Sequence, residues 1–79
     1  MAVAYVLINT ETGFEADVLK LLKKLEGVEE VFAVYGVYDV ILKVRATSMD
    51  KLNEIVTSHI RSIDRVRSTL TMPVIDDSK

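Results

Sequence analysis

Apolar side chains occupy both alternating positions of the strands that this sequence predicts, and no other feature constrains the fold as strongly. Successive side chains of a strand point to opposite faces, so a sheet with one face in water alternates apolar and polar residues. The segments 3–9, 28–35 and 38–44 do not alternate in this way. We therefore expect both faces of the sheet to be covered. The apolar residues concerned are Val3, Ala4, Tyr5, Val6, Leu7 and Ile8, then Val31, Phe32, Ala33, Val34 and Tyr35, then Val40, Ile41, Leu42 and Val44.

Two other segments have the apolar period of amphipathic helices. Thr12 and Glu15 have the spacing of a capping box at the start of the first segment, and Gly27 is predicted to end it. Thr47 or Ser48 is the predicted N-cap of the second segment. The apolar stripe of the first helix is Phe14, Val18, Leu21, Leu22 and Leu25, and that of the second is Leu52, Ile55, Val56, Ile60 and Ile63.

The order of these elements predicts the fold class. The segment 65–75 is predicted to be a fourth strand, with Pro73 near its end, and Gly36 and Val37 are predicted to form a tight turn between strands two and three. The order β-α-β-β-α-β is that of the ferredoxin-like α+β fold, a four-stranded antiparallel sheet with both helices on one face. We expect a single domain over residues 1–79, with 76–79 as a polar tail. Because the helices cover one face, a second subunit is expected to cover the other.

Composition excludes several classes of function. The chain has no Cys, which excludes disulfides and thiolate metal sites. Its formal net charge is −2 and its lysines lie beside glutamates, so we expect no direct nucleic-acid binding. The apolar run at the N-terminus is too short for a signal peptide or a membrane span. We therefore expect a cytoplasmic chain with no membrane contact.

The chain is poor in residues with the character of a catalytic or metal site. His59 is the only histidine, and it lies at the edge of the second apolar stripe, where a partly buried packing role is expected. No second ligand accompanies it at suitable spacing, so we expect no metal, no cofactor and no catalytic residue. Asp39 precedes an apolar strand, where a carboxylate needs a partner. Two interpretations of Asp39 stay open: it accepts N–H groups of its own turn, or it meets a cationic ligand group or a partner chain beside Gly36.

The sequence also carries a family resemblance. The segments GVYDVILKV, RATSMDKLNEIV and VRSTLTMPVI, which begin at Gly36, Arg45 and Val66, resemble the C-terminal domain of Lrp/AsnC transcriptional regulators, also called the RAM domain. The resemblance implies a non-enzymatic domain that binds an amino acid between subunits. It also implies homodimers that pack sheet against sheet and assemble further, commonly into octamers. A helix-turn-helix domain is not found before the first strand, so the chain resembles a stand-alone version that acts through full-length Lrp/AsnC regulators.

The resemblance also implies the residues of an amino-acid site. The Asp at position 39 is expected to contact polar groups of the ligand, and the turn at Gly36 to contribute backbone atoms. Pro73 departs from the family pattern. Met49 and Met72 have an alternative role as fillers of irregular core gaps. The full set of implied ligand-binding residues is Ala33, Gly36, Tyr38, Asp39, Met49, Thr69, Thr71, Met72 and Val74.

Two other classes of function remain as alternatives. Dimeric domains of this fold class can host small oxygenases or isomerases, for which the candidate side chains are His59, Tyr5, Tyr35 and Tyr38. The same topology also serves single-stranded RNA binding, which places aromatic side chains on the central strands. Strand three carries Val, Ile and Leu instead, which argues against RNA binding.

Overall fold

A computed structural model describes residues 1–75 of the chain. Its sheet has four antiparallel strands in the spatial order β2-β3-β1-β4. The predicted ferredoxin-like α+β fold is confirmed, whereas the predicted polar tail, 76–79, lies outside the described residues. The elements are β1 (Ala2–Thr10), α1 (Glu15–Lys23), β2 (Val28–Ala33), β3 (Val40–Ala46), α2 (Met49–Glu54), which continues as a π-helical segment (Ile55–Ile60), and β4 (Val66–Pro73).

The core lies between the helices and one face of the sheet. Even-numbered residues of β1 and β3 point to this face, because side chains alternate along a strand. Leu22 of α1 and Leu52 of α2 are fully buried against them. The core residues are Ala2, Ala4, Val6, Ile8, Val18, Leu22, Val40, Leu42, Val44, Leu52, Val56 and Ile60.

The first helix departs from its prediction at both ends. Phe14 is the N-cap and no side chain caps the helix, so the predicted capping box of Thr12 and Glu15 is wrong. The Phe14 N–H donates to the Glu11 carbonyl at 3.1 Å, so Thr12 lies inside a turn instead of at the cap. The helix ends at Lys23, before Gly27. In its apolar stripe Leu21 is exposed, while the nearby Leu19 packs against the core.

The second helix agrees with its prediction, but the hairpin before it does not. Ser48 is the N-cap, and its hydroxyl accepts a hydrogen bond from the Lys51 N–H at 3.2 Å. The predicted tight turn at Gly36 and Val37 is wrong, because β2 ends at Ala33 and β3 begins at Val40. The connection 34–39 is instead closed by a hydrogen bond of 2.9 Å from the Val34 N–H to the Asp39 carbonyl.

The second face of the sheet carries apolar side chains that no helix covers. Tyr5 is 39% exposed, Phe32 54%, Leu70 43% and Met72 45%, and Leu7 pairs with Ile41 on one side and with Leu70 on the other. Because these residues alternate with the core residues along each strand, they share one face. We call this surface the open sheet face; its apolar members are Val3, Tyr5, Leu7, Phe32, Ile41, Leu70 and Met72.

Gly27 is the tightest point of the turn between α1 and β2, and replacing it should destabilise the fold. Its φ is +94°, and an added Cβ would lie 2.8 Å from Ile55 Cδ1 and 3.1 Å from the Arg45 carbonyl oxygen. We expect Gly27→Ala to cost about 1–2 kcal/mol for the backbone conformation and about 1–3 kcal/mol more for overpacking. Urea unfolding measures the loss.

Gly13→Ala is the matched control, since Gly13 has a φ of +91° but no atom within 4 Å of an added Cβ. It should lose only the conformational part of the free energy of unfolding. Equal losses in the two variants would show that the contacts with Ile55 and Arg45 do not limit this turn.

Candidate functional site

Asp39 joins the start of β3 to the end of β1. Its backbone N–H donates to the Ile8 carbonyl at 3.0 Å, and its side-chain Oδ2 accepts a hydrogen bond from the Thr10 N–H at 2.9 Å. The first interpretation of Asp39 was therefore wrong in its detail, because the N–H that the carboxylate accepts belongs to another strand and not to its own turn. The carboxylate is partly buried at the hairpin end of the sheet.

A β-bulge places polar side chains beside this carboxylate. Asn9 pairs with Ser68 and Thr10 pairs with Val66, so Arg67 is an extra residue in β4 with no partner in β1. A bulge bends its strand and re-aims the side chain of the extra residue, and bulges are frequent next to functional sites.

The residues around Arg65 hold the bulge in place. Arg65 has a φ of +81°, a conformation that side chains other than Gly rarely adopt. Its carbonyl accepts the Glu11 N–H at 2.9 Å, and its guanidinium lies 3.3 Å from the Glu11 carboxylate. The same guanidinium lies 4.2 Å from the centre of the Phe14 ring. These contacts stabilise a strained backbone one residue before β4 begins.

Asp39 and the residues of the bulge border a cleft of about 380 Å³. Its lining residues are Asn9, Thr10, Asp39, Arg67 and Ser68. We call it the hairpin-end cleft. The Asn9 amide donates to the Ser68 hydroxyl at 3.3 Å. The Thr10 hydroxyl is buried and has no hydrogen-bond partner in the part of the chain that the structure describes. Sequence reasoning found Asp39 but missed the other four residues. The only signal for them was the change from apolar to polar residues at Asn9.

A second cleft, of about 490 Å³, lies on the helix side of the sheet. It runs between the end of α1 and the π-helical segment, and its rim includes Lys24, Glu26 and His59. His59 is exposed, so the predicted packing role is wrong, because its position one residue before the buried Ile60 turns it away from the sheet. Charges of both signs line this cleft, and Lys51 pairs with Glu54 across 3.8 Å.

A charged corner lies where β2 and β3 meet the open sheet face. Glu29 hydrogen-bonds to Arg45 and lies 3.7 Å from Lys43. The hydrogen bond from Arg45, with the positive charges of Arg45 and Lys43, lowers the pKa of Glu29 below its ordinary value of 4.5. A lowered pKa in the folded state means that this contribution to stability is present above pH 4.5 and is lost as the pH falls through the folded pKa.

The family to which the chain belongs follows from comparison with known proteins. The profile of the Lrp/AsnC ligand binding domain family matches residues 3–79. The chain belongs to the Lrp/AsnC ligand-binding domain family. No curated protein matches the chain. Within residues 1–75 no helix is long and apolar enough to cross a bilayer, and no group of three or more His, Asp or Glu side chains could hold a metal.

Solved structures similar to this chain include two of its own length. FFRP-DM1 is 35% identical over 95% of this chain and all of its own, with a TM-score of 0.92. TTHA0845 from Thermus thermophilus is 29% identical over 100% of this chain and 99% of its own, with a TM-score of 0.95. AsnC of E. coli is 26% identical over 96% of this chain, with a TM-score of 0.91, and the match spans 52% of AsnC.

The residues that the Lrp/AsnC resemblance implies divide between the two ends of the sheet. Ala33, Gly36, Tyr38 and Asp39 lie at the hairpin end. Met49, Met72 and Val74 lie towards the opposite end, where β3 leads into α2 and the Val74 N–H donates to the Val3 carbonyl. Thr69 and Thr71 lie between these groups, on the helix side of β4 opposite Ile8 and Val6. The length of β3 separates the two ends by about 20 Å, so one chain does not bring the set together.

The residues considered for an enzyme do not converge either. Tyr5 lies on the open sheet face, Tyr35 is fully exposed in the connection 34–39, and His59 lies on the helix side. Tyr38 is half-buried near Asp39. A general acid or base must lie within hydrogen-bond reach of the group it serves. Within residues 1–75 no pair of these four side chains forms such a contact.

The hydrogen bond from Thr10 to Asp39 should stabilise the hairpin end. We expect Asp39→Ala to lower the free energy of unfolding by about 1–3 kcal/mol, because a partly buried N–H loses its acceptor. Asp39→Asn keeps a carbonyl oxygen and should lose less. Urea unfolding compares the two variants with Asp64→Ala, a change at an exposed turn residue. If the Asp39 and Asp64 variants lose equal stability, the hydrogen bond contributes nothing.

Proposed function

We propose that this chain is a non-enzymatic module that binds a free amino acid between subunits and couples that binding to oligomeric assembly. In this proposal it modulates transcription indirectly, by assembling in the cytoplasm with full-length Lrp/AsnC regulators. Membership of the Lrp/AsnC ligand-binding domain family supports the amino-acid ligand. The observation that carries the proposal is the division of the implied ligand-binding residues between opposite ends of the sheet.

The open sheet face supports a homodimer. Contiguous exposed apolar side chains on a soluble domain are typical of an interaction site. In this chain Tyr5, Phe32, Leu70 and Met72 are each exposed by 39% or more on one face. A second copy is the simplest cover, since an isologous interface joins the same patch on both subunits. Lys43 and Arg45 lie on this face too, on the inner strand β3 opposite Tyr5 and Val3, and Glu29 of β2 pairs with both of them, so their charges are partly neutralised within one chain.

The divided residues support a site between subunits. Asp39 and Gly36 lie at one end of the sheet and Met49 at the other, so they can line one pocket only if two chains supply them. Contact between the hairpin end of one subunit and the opposite end of another is heterologous, and repeated heterologous contacts form a ring when the rotation between subunits closes. Sheet-to-sheet dimers joined in this way assemble into closed rings of dimers, of which an octamer is one.

An indirect role in transcription is consistent with the charge of the chain. The formal net charge of −2 gives no excess of cations to neutralise phosphates. The chain matches about half of AsnC, which is the part that resembles the ligand-binding domain. Mixed assembly with a full-length regulator would let an amino acid bound here alter the arrangement of the regulator's DNA-binding domains.

A charge on the open sheet face should separate the proposed dimer. We expect Leu70→Lys to convert the protein to monomers, because pairing would bury an unpaired ammonium group. Light scattering coupled to gel filtration measures the mass. Leu21→Lys is the matched control, since Leu21 is 46% exposed and Leu70 43%, but Leu21 lies on α1. A monomeric parent protein, or dissociation of both variants alike, would contradict the sheet-to-sheet dimer.

Two variants that bind no ligand should restore binding when they are mixed. We expect native mass spectrometry and calorimetry with each of the twenty amino acids to find one that binds and shifts the distribution of oligomers. Asp39→Ala damages the hairpin end and Met49→Glu the opposite end, so each alone should lose binding. Oligomers reassembled from an equal mixture should regain about a quarter of the sites, because a heterologous contact combines two ends at random.

This mixing experiment separates the two possible locations of the site. If the mixture stays inactive although both variants assemble, each site lies within one subunit. If the parent protein binds none of the twenty amino acids at millimolar concentration, the sensing part of the proposal is wrong.

A further inference from the structure

We propose that Glu29 selects the partner of the open sheet face. It acts as a fixed counter-ion for Lys43 and Arg45, so that the face accepts a second copy of this chain and not an anionic partner. This inference rests on the sheet-to-sheet dimer of the proposed function and names the residue that controls it. Without the Glu29 carboxylate, the same face would present two cations beside exposed aromatic rings.

The two cations lie on the open sheet face at positions that a partner would cover. Lys43 pairs with Tyr5, and Arg45 pairs with Val3, in the register between β3 and β1, the two inner strands of the sheet. The Lys43 side chain is already only 24% exposed in a single chain. Taking a charge out of water is costly unless an opposite charge accompanies it. A dimer that covers this face therefore needs a counter-ion for both cations.

A β-bulge in β2 supplies that counter-ion. Val28 pairs with Val44 and Glu30 pairs with Lys43, so Glu29 is an extra residue with no partner in β3. In a regular strand Glu29 and Glu30 would point to opposite faces of the sheet. A bulge re-aims the side chain of the extra residue, and the Glu29 carboxylate therefore reaches the same face as Glu30.

The Glu29 carboxylate divides its two oxygens between the two cations. Oε2 accepts a hydrogen bond from Arg45 Nε, and Oε1 lies 3.7 Å from Lys43 Nζ. The hydrogen bond from Arg45 and the positive charges of both cations lower the pKa of Glu29, so the carboxylate is ionised at neutral pH. Because these side chains pair within one chain, a second copy brings its own counter-ion to the interface.

The same balance of charge favours a second copy over a nucleic acid. Aromatic rings beside cations are the elements of a platform for single-stranded nucleic acid, and Tyr5, Phe32, Lys43 and Arg45 supply them on one face. The Glu29 carboxylate opposes the attraction of these cations for phosphate groups. An identical face, apolar and balanced in the same way, fits this surface as an isologous partner.

Sedimentation equilibrium of charge variants tests the role of Glu29. We expect Glu29→Gln to raise the dissociation constant of the dimer about a hundredfold, because an isologous interface loses one member of a covered charge group on each subunit. Glu54→Gln is the matched control, since Glu54 also pairs with a lysine, Lys51 at 3.8 Å, but lies on α2. This control should leave the dissociation constant unchanged.

A triple variant separates the charge of Glu29 from its shape. Glu29→Gln combined with Lys43→Gln and Arg45→Gln removes the counter-ion and both cations. We expect its dissociation constant to return close to that of the parent protein, because neither protein covers an unpaired charge. A triple variant that stays as dissociated as Glu29→Gln would show that Glu29 acts on the shape of β2 and not through its charge.

The nucleic-acid alternative is tested with the parent protein. We expect fluorescence anisotropy with a labelled oligouridylate at low salt to detect no binding. Binding that Tyr5→Ala abolishes would place the nucleic acid on the open sheet face and overturn the inference.

The outcomes distinguish this inference from the function on which it rests. If the parent protein is dimeric and Glu29→Gln is equally dimeric, or Glu54→Gln dissociates to the same extent, the role of Glu29 is wrong and the dimer stands. If the parent protein is monomeric in sedimentation equilibrium, both the dimer and the role of Glu29 are wrong.

Discussion

A single layer of helices packs against a sheet that is apolar on both faces, and the rest of the molecule depends on this imbalance. On the covered face, alternate residues of β1 and β3 are fully buried with Leu22 and Leu52. On the open sheet face, Tyr5 and Phe32 stay 39% and 54% exposed. A domain of this size buries only about 60% of the surface that its unfolded chain exposes. Covering the open sheet face with a second copy, as proposed, would therefore add apolar burial that one chain cannot supply, and it would make assembly part of folding stability.

The bulge in β1 and β4 explains why polar chemistry collects at one end of an otherwise apolar sheet. The Thr10 N–H points towards β3, as the Ile8 carbonyl does, but the regular pairing of β1 with β3 ends at Ile8 and Val40. The Asp39 carboxylate accepts this N–H and so extends the contact between β1 and β3 by two residues, beside the bulge that Arg67 makes in β4. The positive φ of Arg65, held by Glu11 and Phe14, belongs to the same distortion. Such strain persists where surrounding contacts determine it and is frequent at functional sites.

Local sequence rules predicted the regular part of this molecule and failed where tertiary register decides. Apolar residues at both alternating positions of the strands predicted that both faces of the sheet carry apolar side chains. Ser48 was predicted as an N-cap because the hydrogen bond that defines a cap lies within one helical turn. Thr12 and Glu15 have the local spacing of a capping box, but the box does not form. The Glu11 N–H donates to the Arg65 carbonyl, the Glu11 carboxylate pairs with the Arg65 guanidinium, and the Glu11 carbonyl accepts the Phe14 N–H, so Thr12 lies in a turn. The hairpin connection is longer than predicted, since Asp39 is held by Ile8 and not by a tight turn.

The residues of the hairpin-end cleft are still harder to predict from local sequence. Thr10 and Arg67 are 57 positions apart, and only the register between β1 and β4 places them together. Asp39 could be singled out because a carboxylate before an apolar strand is unusual on its own. Neither Thr10 nor Arg67 is unusual in its local sequence. The Thr10 hydroxyl has no hydrogen-bond partner among residues 1–75, and this follows from packing between distant segments and not from local sequence.

A ligand held partly by one subunit and partly by the next affects assembly by mass action. Such a ligand binds the assembled form and not the separate subunits, so it stabilises the assembly by RT ln(1 + [L]/Kd), about 2.7 kcal/mol when its concentration is a hundred times Kd. That is a large fraction of the few kcal/mol that a small single core supplies. In the proposed site, Asp39 at the hairpin end of one subunit and Met49 at the opposite end of its neighbour would each supply part of the pocket. A module built in this way needs no moving part, because the ligand completes an interface that the marginal stability of one domain leaves unfinished.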